Sequence, residues 1–239
     1  MKKKNSNNQT KPLSPENYIR LKSRNLPIGD CFINKDWEES GMCSIAISRN
    51  HITGNITFCM YLVDLSCLGV KDCFYKFNVI PQELQEVLDK NAHLDFIKVS
   101  YNLVHNLIFA GIEFAEQYDF MPHKDFTKIT QYFLEEDDDK IPLMEIKCGL
   151  EGKPHYVNSG NESPIRQNQI LAQLDRIAGK GNYHFTVPKT LSDYPEDSPY
   201  YREDRYNWRN DENEWEEDDD YEEDDDIVYD VDYEEDEEK

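Results

Sequence analysis

The sequence predicts an α+β fold, a mixed or antiparallel sheet with packed helices, carried between a basic N-terminal arm and an acidic C-terminal tail. Three observations lead there. Strand-like runs fill the first third of the body, helical spacing fills the middle, and strand-like runs return near the end, an order unlike strict βαβ alternation. The body is long enough for one hydrophobic core of ordinary domain size. Charge is concentrated at the ends: residues 191–239 hold 25 Asp and Glu against Arg202, Arg205, Arg209 and Lys239, a net of −21 out of −23 for the 239-residue chain.

Residues 1–15 are rich in Lys, Asn, Ser and Gln without periodicity and read as a flexible arm. Seven bases and one acid (Glu16) give residues 1–24 a net of +6, which leaves −8 for residues 25–190. Residues 43–48 alternate as a short strand, and 50–55 supply turn chemistry around Gly54. Residues 56–63 form a continuous apolar run with β-branched and aromatic members, the signature of a strand buried on both faces and central in its sheet. Asp64 ends it, and 72–77 read as a third strand.

Pro81 in a first turn opens a helix over 81–88. The strongest helix spans 100–118, with Ser100 as N-cap, a stripe of Leu103, Leu107, Ala110 and Phe114, and Val104, Ile108, Gly111 and Ala115 beside it. A further helix is expected over 125–135 from Ile129, Tyr132 and Phe133. After an acidic loop, 141–148 alternates as a strand, and the turn at 150–153 suggests a hairpin with 155–157. Ser163-Pro164 starts a helix bearing Ile165, Ile170, Leu171, Leu174 and Ile177, stopped by Gly179 and Gly181, and 183–187 reads as a last strand. Beyond Ser192 aliphatic residues almost vanish, so the tail is expected to be disordered when free. The expected division is therefore an arm over 1–15, one domain over 16–190 and a tail over 191–239.

No apolar run approaches the roughly 18 residues of a membrane span, and the basic start lacks a following apolar stretch, so a cytoplasmic protein without membrane contact is expected. Cys31, Cys43, Cys59, Cys67, Cys73 and Cys148 show no CxxC pair, which fits reduced thiols in a core. Walker A, GxGxxG, HExxH and GxSxG signatures are absent.

Two polar clusters are candidates for chemistry. Asp64, at the end of a buried strand, has the position of a general base or metal ligand, and Cys67 that of a nucleophile on a turn; alternatively Asp64 caps the turn, Cys67 fills core and Gly69 takes positive φ. His105, His123 and Asp125, with Asp64, make a three- or four-ligand set for a divalent metal if the fold gathers them. Glu113 lies eight residues from His105 and some 80° round a helix, too far to share a small site unaided. Lys153, His155 and His184 read as strand-end positions, and Asp137, Asp138 and Asp139 lack EF-hand spacing. The tail interleaves its acids with rings, among them Trp208, Trp215, Tyr221 and Tyr229. Acid gives long-range attraction to Lys and Arg surfaces and rings give cation–π anchors, so these four are the expected partner contacts.

The blocks at 61–64 and 67–72 (YLVD, CLGVKD), 113–115, 122–126 (PHKDF), 152–154 and 184–185 resemble those of a group of uncharacterised bacterial proteins. The resemblance covers residues 18–188, leaves both charged ends outside, and implies one shared domain without an activity. Where the group has Gly, this chain has Asp119 before Phe120, which bears on the helix C-cap. The leading expectation is a cytosolic protein-interaction module whose tail engages a basic protein surface or nucleoprotein, as a nucleic-acid mimic or shield. The alternative is a metal-assisted hydrolase or nuclease using Asp64, His105, His123 and Asp125. Direct nucleic-acid binding is disfavoured by the negative charge of body and tail, except through the basic arm.

Overall fold

A computed structural model of the chain describes residues 13–187 apart from 139, 159 and 161. The arm before Leu13 and the tail beyond Val187, with the order and contacts expected of them, lie outside the described residues. The fold is α+β, built on an antiparallel five-stranded sheet. Strands β1 (Ile28–Asn34), β2 (Met42–Asn50), β3 (Ile56–Asp64) and β4 (Gly69–Val79) form a meander, and β5 (Phe96–Val99) returns beside β1, giving the order β4-β3-β2-β1-β5. β3 is interior to the sheet and, except for Leu62, buried throughout.

Helix α1 (Pro15–Lys22) starts one residue inside the expected arm. Ser14 caps it, Pro15 occupies its first turn, and Ile19 is fully buried. The short α2 (Trp37–Ser40) links β1 to β2 and ends on Gly41 at φ +67. α3 (Pro81–Lys90) covers Ala46, Ile56, Phe58 and Met60 on one face of the sheet through Leu84 and Leu88. α4 (Tyr101–Glu116), capped by Ser100, packs on the other face with α1 and the segment 124–134. Its buried stripe is Val104, Leu107, Ile108, Gly111, Ile112 and Ala115, rotated away from the expected Leu103 and Ala110, because the backbone approaches the sheet at Gly111. A Cβ there would lie 2.6 Å from Val63 Cγ1. Asp119 closes α4 at φ +59, with Phe120 N–H donating to Ala115 O (3.1 Å) and Asp119 N–H to Glu116 O (3.0 Å). That is the Schellman arrangement, with Asp in the left-handed position that Gly usually fills.

The expected helix over 125–135 is instead α5 (Lys124–Lys128) and a 3-10 turn (Thr130–Phe133), broken at Ile129. Burial explains the break: Thr130 O accepts from Tyr61 Oη at 3.0 Å and Thr130 Oγ1 meets Cys73 Sγ at 3.2 Å, so the turn is set by the core rather than by helical spacing. Arg49, 1% exposed, fastens the same segment, donating to Phe133 O (2.9 Å), Leu26 O (2.8 Å) and Glu135 Oε1 (2.7 Å).

The hairpin between 141–148 and 155–157 does not form. The expected strand over 141–148 is not formed either; alternation is limited to 145–148, where Ile146 and Cys148 turn toward the core and Glu145 and Lys147 are exposed. What this strap lacks is a strand partner. The Asn106 side chain stands in for one: its Oδ1 accepts from Met144 N–H (2.8 Å) and its Nδ2 donates to Pro142 O (3.2 Å). β6 (His155–Val157) pairs in parallel with β7 (His184–Thr186) across α6 (Pro164–Ile177), so the C-terminal part is a small βαβ unit on the α+β domain.

Candidate functional site

Asp64 sits at the β3–β4 turn, 4% exposed. Its Oδ1 accepts from Ser66 N–H (2.8 Å) and Cys67 N–H (3.1 Å), and Oδ2 from Leu68 N–H (3.2 Å). Burial raises its pKa, opposed by the Lys71 ammonium and these three backbone donors. Both carboxylate oxygens thus face the turn's own backbone, the geometry of a cap. Lys71 is also paired with Glu162, which ties the turn to the loop before α6. Cys67 is fully buried among Leu68, Ala115, Phe120 and Tyr156, and burial pushes its thiol far up, with Asp64 adding to the effect. Of the two readings of Cys67, nucleophile on a turn or core filler, the structure has the second, with the thiol held protonated by burial. Gly69 takes φ +67, and a Cβ there would lie 2.9 Å from Ala115 Cβ, so this turn and α4 meet at two glycines, Gly69 and Gly111.

The other predicted ligands are dispersed. His105 is buried in the first half of α4, between Tyr101 and Phe109, with Nε2 3.2 Å from Glu135 O. Burial lowers its pKa. It lies roughly 9–15 Å along the helix axis from the Gly111–Ala115 contact with the turn. Glu113 is exposed on the same helix. His123 caps α5, its Nδ1 accepting from Asp125 N–H (3.3 Å) and its own N–H donating to Val70 O (2.9 Å); its ring is 3.9 Å from the Asp125 carboxylate. Only the His123–Asp125 pair is thus brought together. Among the described residues no three His, Cys, Asp or Glu side chains are grouped to hold a metal ion, so the expected convergence of Asp64, His105, His123 and Asp125 is not found. The sequence places these residues on separate loops and helices, and spacing alone gives no reason for them to meet.

The turn that Asp64 caps has a different importance. Leu65 N–H donates to Gly41 O (2.9 Å), Leu65 O accepts from Gly149 N–H (2.9 Å), and Ser66 O accepts from His155 N–H (2.8 Å). Two residues therefore hold α2, the strap and β6 together. Between these three lies a cleft of about 780 Å³, whose walls include Trp37, Glu38, Glu39, Glu145, Lys147, His155 and Val157. Glu38, Glu39 and Glu145 are exposed, and none enters an ion pair among the described residues. Trp37 is half-buried against the main core, leaving part of its indole at the cleft. A large concave site with one anchored aromatic, three uncommitted carboxylates and a single ammonium favours a cationic occupant. Sequence reasoning passed over it because its walls come from 37–41, 65–66, 145–150 and 155–157, and no local pattern joins those pieces.

Comparison of the chain with protein families, with curated proteins and with solved structures gives no match. No helix among the described residues is long and apolar enough to cross a membrane. Trp208, Trp215, Tyr221 and Tyr229 lie outside the described residues.

Proposed function

We propose that the protein is a cytosolic binding module for a basic partner, either a basic protein surface or a nucleoprotein. The observation that carries this reading is the cleft at the end of the sheet, which Glu38, Glu39 and Glu145 line together with Trp37. The tail repeats that chemistry at larger scale: 25 acids interleaved with Tyr and Trp, against four bases. Charge on the tail steers a cationic partner from a distance, rings anchor it after contact, and the cleft takes one segment of it. A net charge of −23 opposes direct binding to phosphate backbones except at the basic arm, so a nucleic acid would enter mainly through a basic protein that carries it.

The test uses poly-L-lysine as probe and follows binding to the full chain by surface plasmon resonance. Affinity should fall steeply from low salt to about 150 mM, where the screening length is near 8 Å. Replacing Trp208, Trp215, Tyr221 and Tyr229 with Ser keeps the charge, so association should persist while dissociation quickens. Unchanged binding after deletion of residues 191–239 would remove the tail from the mechanism. Equal binding when Glu38, Glu39 and Glu145 are changed to Gln would remove the cleft.

A further inference from the structure

We infer that the cleft takes its occupant as an extended strand, a Lys- or Arg-bearing segment of the partner protein that adds to the open edge of β6; this deepens, and rests on, the basic-partner reading above.

Successive residues of a strand aim their N–H and C=O groups to opposite sides. In β6, Tyr156 faces β7, which takes up the ladder through His184 N–H to Pro154 O (2.8 Å) and Asn158 N–H to Thr186 O (2.9 Å). His155 and Val157 face the other way. His155 N–H is taken by Ser66 O, but Val157, two residues on and lining the cleft, has no backbone partner on that side among the described residues. Across the cleft the strap is in the same condition. Glu145, Ile146, Lys147 and Cys148 lie outside any strand, and their N–H groups have no backbone partner among the described residues. The cleft is therefore bounded by Val157 on one side and residues 145–148 on the other, whose main-chain N–H groups have no backbone partner among the described residues. An open strand edge is a template for another extended segment, and strand addition is a general mode of peptide capture.

Charge selects the occupant. The chain's own tail leaves the domain next to β7, yet its net −21 is of the same sign as Glu38, Glu39 and Glu145, so it is a poor candidate. In an added strand alternate side chains share one face. A segment with Lys or Arg at alternate positions presents a row of cations to those carboxylates and to the Trp37 ring, while its other face meets Val157 and Leu150, apolar side chains that are exposed at the cleft. Main-chain bonds give such a complex its register and the acidic lip gives it its sign.

An eight-residue peptide alternating Lys and Val, and the same peptide with every backbone nitrogen methylated, test this on the full chain. Binding is read by fluorescence anisotropy and by residue-resolved hydrogen exchange. Strand addition predicts that the unmodified peptide slows exchange at the Val157 amide about tenfold or more and that N-methylation weakens binding about tenfold. The Glu38/Glu39/Glu145→Gln variant should bind the unmodified peptide roughly 3- to 10-fold more weakly. If methylation changes nothing and Val157 stays unprotected while the Gln variant still loses affinity, strand addition is wrong and the basic-partner reading survives. If the Gln variant binds as well as the parent, the cleft is not the site and strand addition is wrong; if neither peptide binds, the basic-partner reading falls with it. Protection of Val157 in the free chain that disappears on deletion of residues 1–11 would make the basic arm the occupant. Protection that grows with protein concentration would make it a second copy. Either result overturns the proposal.

Discussion

Replacing Asp64 separates a capping carboxylate from a reactive one. In Asp64→Ala three backbone donors lose their acceptor. Ser66 is half-buried and recovers a bond to water, whereas Cys67 and Leu68 are buried and do not. An unsatisfied buried N–H costs about 1–3 kcal/mol, and removing a desolvated carboxylate returns part of that, so the net loss should be about 2–4 kcal/mol. Asp64→Asn keeps one oxygen for the two shorter bonds and turns an amide nitrogen toward Leu68 N–H, so it should lose about 1–2 kcal/mol. Urea unfolding followed by circular dichroism reads both. With a slope of about 2 kcal/mol per molar, the Ala variant's midpoint should drop by about 1–2 M and the Asn variant's by less. Acid adds a second readout. The folded pKa of Asp64 is raised, so the folded state takes up the proton more readily than the unfolded state. That contribution is full below the unfolded value near 3.8 and is lost as pH rises through the folded value. Wild type should therefore gain on Asp64→Asn as pH falls across that window. The turn also holds the three walls of the cleft, so the Ala variant should weaken cationic-peptide binding even where it remains folded. A midpoint within about 0.2 M of wild type, or Asn costing more than Ala, would refute the capping role.

Other perturbations test the packing that frames the site. Arg49→Met leaves Phe133 O, Leu26 O and Glu135 without their donor and should cost about 3–5 kcal/mol in the same urea assay, whereas Glu135→Gln should cost below about 1 kcal/mol because Glu135 is about a third exposed. Gly111→Ala gains helix propensity but drives a Cβ into Val63, so a net loss of about 1–3 kcal/mol is expected, and a stabilised variant would show that α4 does not seat so closely. Burial raises the thiols of Cys73 and Cys148 to about 11 and of Cys31 and Cys43 to about 12, and Cys148 alone is half-exposed. Iodoacetamide at neutral pH should therefore label Cys148 first and Cys67 only on unfolding, as read by mass spectrometry of digests. Early labelling of Cys67 would restore it as a candidate nucleophile.

The elements that were legible in the sequence are those whose side chains report their own surroundings. β3 announces itself because it is buried on both faces, and α6 because Ser163, Pro164 and an apolar stripe all agree. β1 was missed: Gly29 and Asp30 sit near a bulge between Ile28 and Cys31, which interrupts its alternation. β5 is four residues with Lys98 in the middle, too short for periodicity to register. Parallel pairing of β6 with β7 depends on contacts across α6, and a nearby turn at 150–153 pointed to the wrong partner. At the candidate site, Asp64 and Gly69 stand out in the sequence, because a carboxylate and a glycine after an apolar strand have few local uses. Whether that use was capping or chemistry depended on where three backbone N–H groups pointed, which only the folded turn decides. His105 illustrates the reverse: one polar residue in an apolar helix looks chemically important, yet its ring is used to close a seam between α4 and Glu135.

The strap deserves a kinetic reading. The strap is held on α4 by Asn106 and by the Cys148 thiol, which donates to Ala110 O (3.6 Å), and at its end by Gly149, with no rung of the five-stranded ladder passing through it. Peeling it away breaks a few bonds and uncovers Ile146 and Cys148, while every sheet pairing stays intact. Such a segment opens as its own small unit, at a fraction of the cost of global unfolding. One bank of the cleft is therefore expected to open before the sheet does, and an occupant bridging it to β6 would hold it shut. Asn106→Ala would remove two of the ties to α4, so the opening of a surface site depends on a residue buried in the middle of a helix.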